Sequence, residues 1–289
     1  FVGGLVFAFA PYHSAHLFGH MNLASLQWIP FYVLLLLKAL DWRHEGQNEE
    51  SAVTERQKPP GGQLGSAFSR PWYALGAGAL LAVNAYTEWT YAIFLVLLTG
   101  VVVAWRILLP SERRLVTAGV GWWALGVRLV IIGATFLVWT GPILFPTLAE
   151  ARQGYAQQPP EETLFYSADL VNGLLPSELH PLWGPAIAGT VSQLPPYLPL
   201  KNPSERDLFL GYAALAVAAW GVWRLRRNIR VLFWAFTAAL MWLLSLGPVL
   251  QVLGKQEFTS FLVKIPMPYL LLYKLPLFSI MRTPARFTL

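Results

Sequence analysis

Apolar runs long enough to cross a bilayer, separated by short charged segments, dominate this chain. A helix that crosses a hydrocarbon core of ~30 Å needs about 20 apolar residues at ~1.5 Å per residue. The stretch 72–109 has about twice that length, and its polar segment 84–89 predicts two helices that meet there. Further crossings are predicted over residues 22–40, 115–145, 208–223 and 231–246.

Prolines and charges mark the segments between these crossings. Gly141-Pro142 and Pro146 are expected to end the helix that begins near Leu115, because proline removes a backbone donor. Three long polar or Pro-rich segments remain. They are predicted as a solvated loop (41–71), a loop with short helices over the membrane surface (149–207) and a Pro-rich tail without a clean crossing (247–289).

The distribution of Lys and Arg predicts the orientation. Short loops rich in these residues lie on the cytoplasmic side, which places the turns 106–114 and 224–230 and the loop 41–71 there. Counting crossings then puts the turn at 86–89, the loop 149–207 and the tail 247–289 outside. The tail goes against this rule, since it carries five cations against the single acid Glu257.

Composition supports a membrane protein. Only 12% of residues are charged and 55% are apolar, with a mean hydropathy of +0.48, whereas an average soluble domain is about 25% charged. We therefore expect an all-α fold, a polytopic transmembrane helix bundle forming one domain over residues 1–289. The net charge of +6 is explained by the cytoplasmic turns, so no nucleic-acid partner is expected.

Several classes of site are excluded by what the sequence lacks. The chain has no Cys, which removes disulfides and thiolate chemistry. Nucleotide-binding and hydrolase motifs are also missing from it. Because the chain opens at Phe1 inside an apolar run and stops soon after Arg286, we expect it to be a fragment of a longer protein.

Three of the five histidines lie close together near the start of the chain. His13, His16 and His20 are spaced so that a helix would place them on one face. Imidazole binds metals and titrates near neutral pH, so this face could hold a divalent ion or move a proton. The alternative is that these are interfacial histidines bonded to loop carbonyls.

Two charged residues lie within apolar stretches, where an ionised side chain is costly. Glu88 sits at the predicted helix break and is a candidate for binding a polar substrate or for a structural role. Arg128 is expected to partner a backbone carbonyl or a carboxylate such as Glu88.

The external segments add further candidates. Asp169 could bind a hydroxyl-rich ligand or a metal, or it could lie in the first turn of a helix capped by Ser167. Arg282 and Arg286 could grip a lipid phosphate or diphosphate with several donors. The alternative for these arginines is snorkelling to lipid headgroups.

Several motifs together resemble a known group of bacterial membrane proteins. They are F-A-P-Y-H-x-x-H-x-x-G-H-x-N-L at 9–23, W-I-P at 28–30, Y-S-A-D-L at 166–170, H-P-L-W-G at 180–184, L-S-L-G-P at 244–248 and M-R-T-P-A-R-F at 281–287. This pattern resembles the YfhO-like and GT-C glycosyltransferase-like multi-spanning proteins. The resemblance covers most of the chain and implies a GT-C-like bundle in the bacterial cytoplasmic membrane.

The resemblance also implies a function. Such enzymes transfer a sugar from a polyprenyl-phosphate donor to an acceptor on the external face, with an acidic residue of the first external loop as base or metal ligand. That loop would lie upstream of Phe1. Candidate catalytic residues in this chain are His13, His16, His20 and Asp169, and the three histidines are also the candidate metal ligands, with a divalent ion as the possible cofactor. The substrate-binding candidates are Tyr12, Asn22, Glu88, Tyr166, His180, Arg282 and Arg286.

A lipid-linked sugar donor and membrane lipids are the partners expected on this interpretation. The alternative from another class is a non-enzymatic transporter or lipid-handling membrane protein. A transporter is expected to have broken helices at matching positions in its two halves. Only one such break is evident in this sequence, near Glu88. A structural membrane subunit is a third interpretation.

Overall fold

Helices form most of the chain that the structure describes. The computed structural model describes residues 3–4, 25–40, 60–108, 122–153, 159–171, 173–176, 180, 182–191, 208–253, 255–257, 264–275, 278 and 281–288. The longer helices are α1 (Trp28–Ala39), α2 (Pro60–Thr87), α3 (Trp89–Leu108), α4 (Trp122–Arg152), α7 (Tyr212–Arg224) and α8 (Ile229–Ser245). The shorter ones are α5 (Pro160–Phe165), α6 (Gly184–Val191), α9 (Tyr269–Tyr273) and the 3-10 helix η1 (Pro284–Thr288).

The helical prediction is confirmed at its coarse level. Over the described ranges there are isolated β-bridges but no strand. Two segments, Trp89–Leu108 and Trp122–Glu150, are long and apolar enough to cross a membrane, while α1 and α8 are apolar but shorter. The membrane crossings themselves and the GT-C arrangement stay predictions.

The predicted pair of helices across 72–109 is confirmed, and the break is narrower than expected. Only Glu88 separates α2 from α3. Its backbone N–H donates to the carbonyl of Asn84 at 2.8 Å, and its carbonyl accepts from Tyr91 at 3.1 Å. The backbone hydrogen bonds therefore run across the break with little interruption.

The predicted loop 41–71 is wrong in its second part, because α2 already begins at Pro60 and passes through Pro71. Proline is well tolerated at the first helical position, where its missing N–H is not needed. The Pro-Pro-Gly-Gly sequence is typical of a turn, yet its second proline starts a helix. Residues 41–59 lie outside the described ranges.

The predicted helix end near Pro146 is also wrong. α4 continues through Pro142 and Pro146 to Arg152. Proline is more frequent in membrane helices, where hydroxyl groups and neighbouring helices satisfy the backbone. The Tyr86 hydroxyl of α2 donates to the carbonyl of Trp139 at 2.5 Å and so joins α2 to α4 just before Pro142.

The chain divides into two compact units, and the first comprises residues 25–148. Close helix approaches through glycine hold this first unit together. A Cβ at Gly76 would lie 2.8 Å from the Leu35 side chain of α1. One at Gly78 would lie 2.6 Å from the Ile132 carbonyl of α4. Small residues at such positions let helices approach closely.

A buried hydroxyl chain joins α1 to α3 within the first unit. Tyr32 is fully buried, and its hydroxyl lies 2.6 Å from that of Thr99. Since Thr99 donates to the Leu95 carbonyl at 2.7 Å, the Tyr32 hydroxyl is the donor to Thr99. This arrangement satisfies both side chains without water.

Two buried arginines cap the end of α1. Arg106 donates to the carbonyl of Leu40, and Arg128 donates to the carbonyl of Ala39 at 3.0 Å. Cations at a helix C-terminus satisfy its last carbonyls and complement its dipole. The carbonyl partner predicted for Arg128 is confirmed.

The second unit comprises residues 1–24 and 149–289, and its described part is built around a small core. Ala168, Leu208, Leu246 and Ala285 are buried together, and Trp242, Leu250 and Met267 pack against them. The expected short helices are present as α5 and α6. In the described part of the tail 247–289, helix is present only in short stretches, namely α9, η1 and residue Phe278, as its prolines predict.

Candidate functional site

Three motifs that carry the family resemblance meet in the second unit. The backbone N–H of Ala168 donates to the Ser245 carbonyl at 2.8 Å, which joins Y-S-A-D-L to L-S-L-G-P. The N–H of Ala285 donates to the Tyr166 carbonyl at 3.2 Å, which joins M-R-T-P-A-R-F to the same segment. We call this assembly of residues 166–170, 244–248 and 281–287 the three-motif cluster.

Gly247 is required where two of these motifs touch. Its φ of +74° lies in a region that side-chain-bearing residues rarely adopt. A Cβ at this position would overlap the hydroxyl group of Ser167. The Ser167 hydroxyl donates instead to the Thr163 carbonyl of α5 at 2.7 Å, so the predicted N-cap role of Ser167 is wrong.

Asp169 organises the loop beside this contact. It is only 2% exposed, and its Oδ1 accepts hydrogen bonds from the backbone N–H groups of Val171 and Leu253, each at 3.1 Å. A carboxylate that accepts two backbone donors is well stabilised when buried. These contacts give Asp169 a structural role in this loop, although not the first-turn helix position that the sequence suggested.

Gln251 is a second organising residue, which sequence reasoning missed. It is 1% exposed, its side-chain amide nitrogen donates to the Leu164 carbonyl at 2.7 Å, and its backbone carbonyl accepts from the N–H of Leu170 at 2.9 Å. The available signal was a lone amide in the apolar run L-G-P-V-L-Q-V-L. Buried polar side chains are normally hydrogen-bonded, so such a residue indicates a loop contact.

Arg282 and Tyr166, two predicted substrate-binding residues, are brought together. The guanidinium carbon of Arg282 lies 4.5 Å from the centre of the Tyr166 ring, within the range of a cation–π interaction. Arg282 is exposed and Tyr166 is half-buried. The ring holds the guanidinium in place and uses none of its N–H groups as hydrogen-bond donors.

Aromatic packing holds the segment that carries Arg282 in place. Tyr269 is fully buried, and its ring meets that of Phe287 edge to face at 6.0 Å. Burial raises the pKa of the Tyr269 hydroxyl well above its ordinary value, and the neighbouring Tyr273 adds to this. The neutral hydroxyl donates to the Phe278 carbonyl at 3.4 Å.

Arg286, the other predicted phosphate-binding residue, lies half-buried in η1 between the buried Ala285 and Phe287.

His180 has a local structural contact. Its Nδ1 accepts from the backbone N–H groups of Leu182 and Trp183, each at 3.2 Å, just before α6 begins. In the neutral ring the hydrogen is then on Nε2, the nitrogen left for another partner. The motif H-P-L-W-G therefore starts a helix.

In the first unit, Glu88 lines a cleft of about 200 Å³ at the break between α2 and α3. Its Oε1 accepts from the Thr90 hydroxyl at 2.9 Å. The cleft combines a carboxylate, hydroxyl groups and aromatic rings, which suits a small polar ligand. Its other lining residues are Ala85, Tyr86, Thr87, Trp89, Thr140 and Ile143.

The predicted histidine face lies outside the described residues, as do Tyr12 and Asn22. Among the residues that the structure does describe, no group of three His, Asp or Glu side chains could hold a metal ion. The divalent ion and the roles of His13, His16 and His20 stay predictions.

Comparison with known proteins identifies no relative. Neither a family model nor a curated protein nor a solved structure matches this chain.

Proposed function

We propose that this chain belongs to a membrane protein of GT-C-like type that takes a sugar from a polyprenyl-phosphate donor and transfers it to an acceptor on the external face. The observation that carries the proposal is Arg282 held, exposed, over the ring of Tyr166. The two membrane-length helices support a location in the bilayer, where such a donor resides.

In the proposed reaction, the bond between the anomeric carbon of the sugar and the phosphate oxygen breaks. The acceptor oxygen forms a new bond to that carbon and passes its proton to a general base, while the lipid phosphate leaves with the electron pair. Arg282 would stabilise the charge on that phosphate, because a fixed cation aimed at a developing anion lowers the barrier. Guanidinium suits this role because it offers several donors in one plane.

We assign Asp169 to the scaffold rather than to this proton transfer, since it is buried and its Oδ1 accepts two backbone hydrogen bonds. The predicted histidine face of residues 13–20 remains our candidate for the proton acceptor.

The contact of Arg282 with Tyr166 also supports a second function, in which the protein binds a lipid phosphate without transferring a sugar. A lipid-handling protein needs the cation and the ring but no base. The two functions share donor binding and differ only in turnover.

Binding of a short-chain polyprenyl phosphate to purified protein tests the shared step. Arg282→Gln should weaken binding at least tenfold, Arg282→Lys should have an intermediate effect, and Tyr166→Leu should weaken binding by removing the ring. Lys274→Gln is the matched control, because it removes one exposed charge from the same tail. Equal affinity for wild type and Arg282→Gln would reject both functions.

Turnover of a polyprenyl-phosphate sugar by the full-length protein separates the two functions. Glycosyl transfer that falls with Arg282→Gln supports the enzyme. Donor binding that depends on Arg282, with no transfer to any acceptor tested, supports the lipid-handling function and contradicts transfer.

A further inference from the structure

A second arginine site lies away from the three-motif cluster, at the turn between α7 and α8. Arg224, Arg226 and Arg227 are exposed there and Arg230 is half-buried. These arginines also underlie the predicted cytoplasmic position of the turn. We call residues 223–228 the arginine turn.

The backbone of the arginine turn is fixed by hydrogen bonds. The N–H of Leu225 donates to the Gly221 carbonyl at 2.9 Å, and that of Asn228 donates to the Leu225 carbonyl at 2.8 Å. The Asn228 side chain accepts from the N–H of Arg230 at 3.0 Å and caps α8. These hydrogen bonds fix the backbone that carries the three exposed arginines.

The turn encloses space for a ligand. A cavity of about 390 Å³ is lined by Trp223, Arg224, Leu225, Arg226, Arg227 and Asn228. Three arginines line this one open cavity, and arginine suits an anion with several oxygens, because each guanidinium can donate two hydrogen bonds to it.

No nearby acid in the sequence neutralises this charge. Residues 208–256 contain no Asp or Glu, although they carry the four arginines of this region and Lys255. The positive end of the α8 dipole adds to the potential at the same place. A bound anion would complement the positive charge at the cavity.

The surroundings of the turn indicate a lipid rather than a soluble anion. Trp220 and Trp223 are each 63% exposed, and their spacing of three residues puts them on one face of α7. Leu225, inside the turn, is 51% exposed. Exposed tryptophans beside arginines are typical of the membrane–water interface, at the depth of lipid phosphates.

We propose that the arginine turn binds the phosphate of an anionic phospholipid headgroup. Arg224, Arg226 and Arg227 hold the phosphate oxygens, and Trp220 and Trp223 lie against the glycerol and upper acyl region of the same lipid. This site is independent of the proposed sugar donor, because it uses other residues at the far end of α8 from the three-motif cluster.

Native mass spectrometry of the purified full chain in neutral detergent tests the proposal by counting bound lipids. Wild type should retain phosphatidylglycerol in preference to phosphatidylcholine. The double variant Arg226→Gln/Arg227→Gln should lose at least tenfold in affinity for phosphatidylglycerol. The control Lys255→Gln/Lys264→Gln removes the same charge from exposed positions outside the turn and should retain wild-type affinity.

Two further measurements distinguish a lipid phosphate from a soluble one. Trp220→Ala/Trp223→Ala should weaken lipid binding with all arginines in place, and millimolar inorganic phosphate should not displace the lipid. Displacement by inorganic phosphate would overturn the lipid assignment in favour of a soluble anion. Equal loss in the arginine and lysine variants would reduce the effect to net charge and reject the site.

The variant Arg226→Lys/Arg227→Lys controls for a folding defect in the Gln variant, because it keeps both positive charges. It should bind phosphatidylglycerol with an affinity between those of wild type and the Gln variant. Wild-type affinity in this variant would contradict multidentate binding. Failure of this proposal leaves the donor site at Arg282 untouched, because the two assays use different lipids and different variants.

Discussion

In the first unit, Arg106 and Arg128 are buried and donate to the last carbonyls of α1, whereas in the second unit Arg282 and the arginine turn are exposed. The group that an arginine side chain contacts decides whether the arginine is structural or available to a ligand. A guanidinium bonded to a helix end stabilises packing, and one held over a ring keeps its donors for a ligand. Location in an apolar sequence is therefore not enough to mark an arginine as functional.

The most clear-cut test of this comparison concerns the side of the membrane on which each exposed arginine site lies. Since residues 1–289 contain no Cys, a cysteine introduced at one position is the only thiol in this part of the protein. In intact cells, Gln153→Cys should react with an impermeant thiol reagent and Leu225→Cys should not, because the positive-inside rule places the arginine turn in the cytoplasm. Both positions are exposed. The reverse labelling pattern would place the two sites the other way round.

Gly247→Ala should destabilise the frame that holds the exposed Arg282. The substitution combines a positive φ with overlap on Ser167, so we expect a loss of at least about 2 kcal/mol. Gly221→Ala is the control, because a Cβ there meets open space. Thermal unfolding in detergent measures both, and an unchanged midpoint for Gly247→Ala would mean that the two motifs do not pack as described.

Arg128→Leu and Arg282→Leu test the two classes of arginine directly. Arg128→Leu leaves the buried Ala39 carbonyl without its donor, so the free energy of unfolding should fall by about 2 kcal/mol. Arg282→Leu removes an exposed cation and should cost under about 1 kcal/mol. Equal losses in the melting experiment would contradict the division between structural and available arginines.

Asp169→Ala and Asp169→Asn separate scaffold from chemistry. Asp169→Ala removes both backbone hydrogen bonds to Oδ1 and should lower stability by about 2 kcal/mol. Asp169→Asn keeps an acceptor and should lose less than half of that. Full loss of glycosyl transfer in a stable Asp169→Asn protein would restore Asp169 as a catalytic residue.

His180→Ala is expected to have the smallest effect. It removes the acceptor for two backbone N–H groups before α6, a contribution of about 1 kcal/mol by analogy with helix caps. His180→Asn, which keeps a side-chain acceptor, is the matched control. Similar losses in both variants would show that the imidazole has a partner beyond the helix start.

Local patterns predicted the helices well and their ends less well. The break at Glu88 was evident because a charge inside an apolar run is costly. The ends expected at Pro142 and Pro146 were wrong because proline rules from soluble helices are relaxed in apolar ones. The loop predicted over residues 41–71 was wrong from Pro60 onward, because proline occurs both in turns and at the first position of a helix.

Candidate residues could be found from the sequence, but not their neighbours. The contact of Arg282 with Tyr166 depends on backbone hydrogen bonds between segments far apart in sequence, such as Ala285 to Tyr166. No local periodicity encodes such a contact. Residue chemistry alone makes Arg282, Tyr166 and Asp169 equal candidates for ligand binding. Their exposure in the structure distinguishes them, because Arg282 is exposed and Tyr166 half-buried, whereas Asp169 is buried.

The length of α4 has a mechanical consequence. Its 31 residues span about 46 Å, if straight, at ~1.5 Å per residue, against a hydrocarbon thickness of ~30 Å. If α4 crosses the bilayer, this hydrophobic mismatch requires either a strong tilt or about ten residues of helix protruding into the headgroups and water. Pro142 and Pro146 lie in the last third of α4, so a bend there could redirect the protruding end without disturbing the part that crosses.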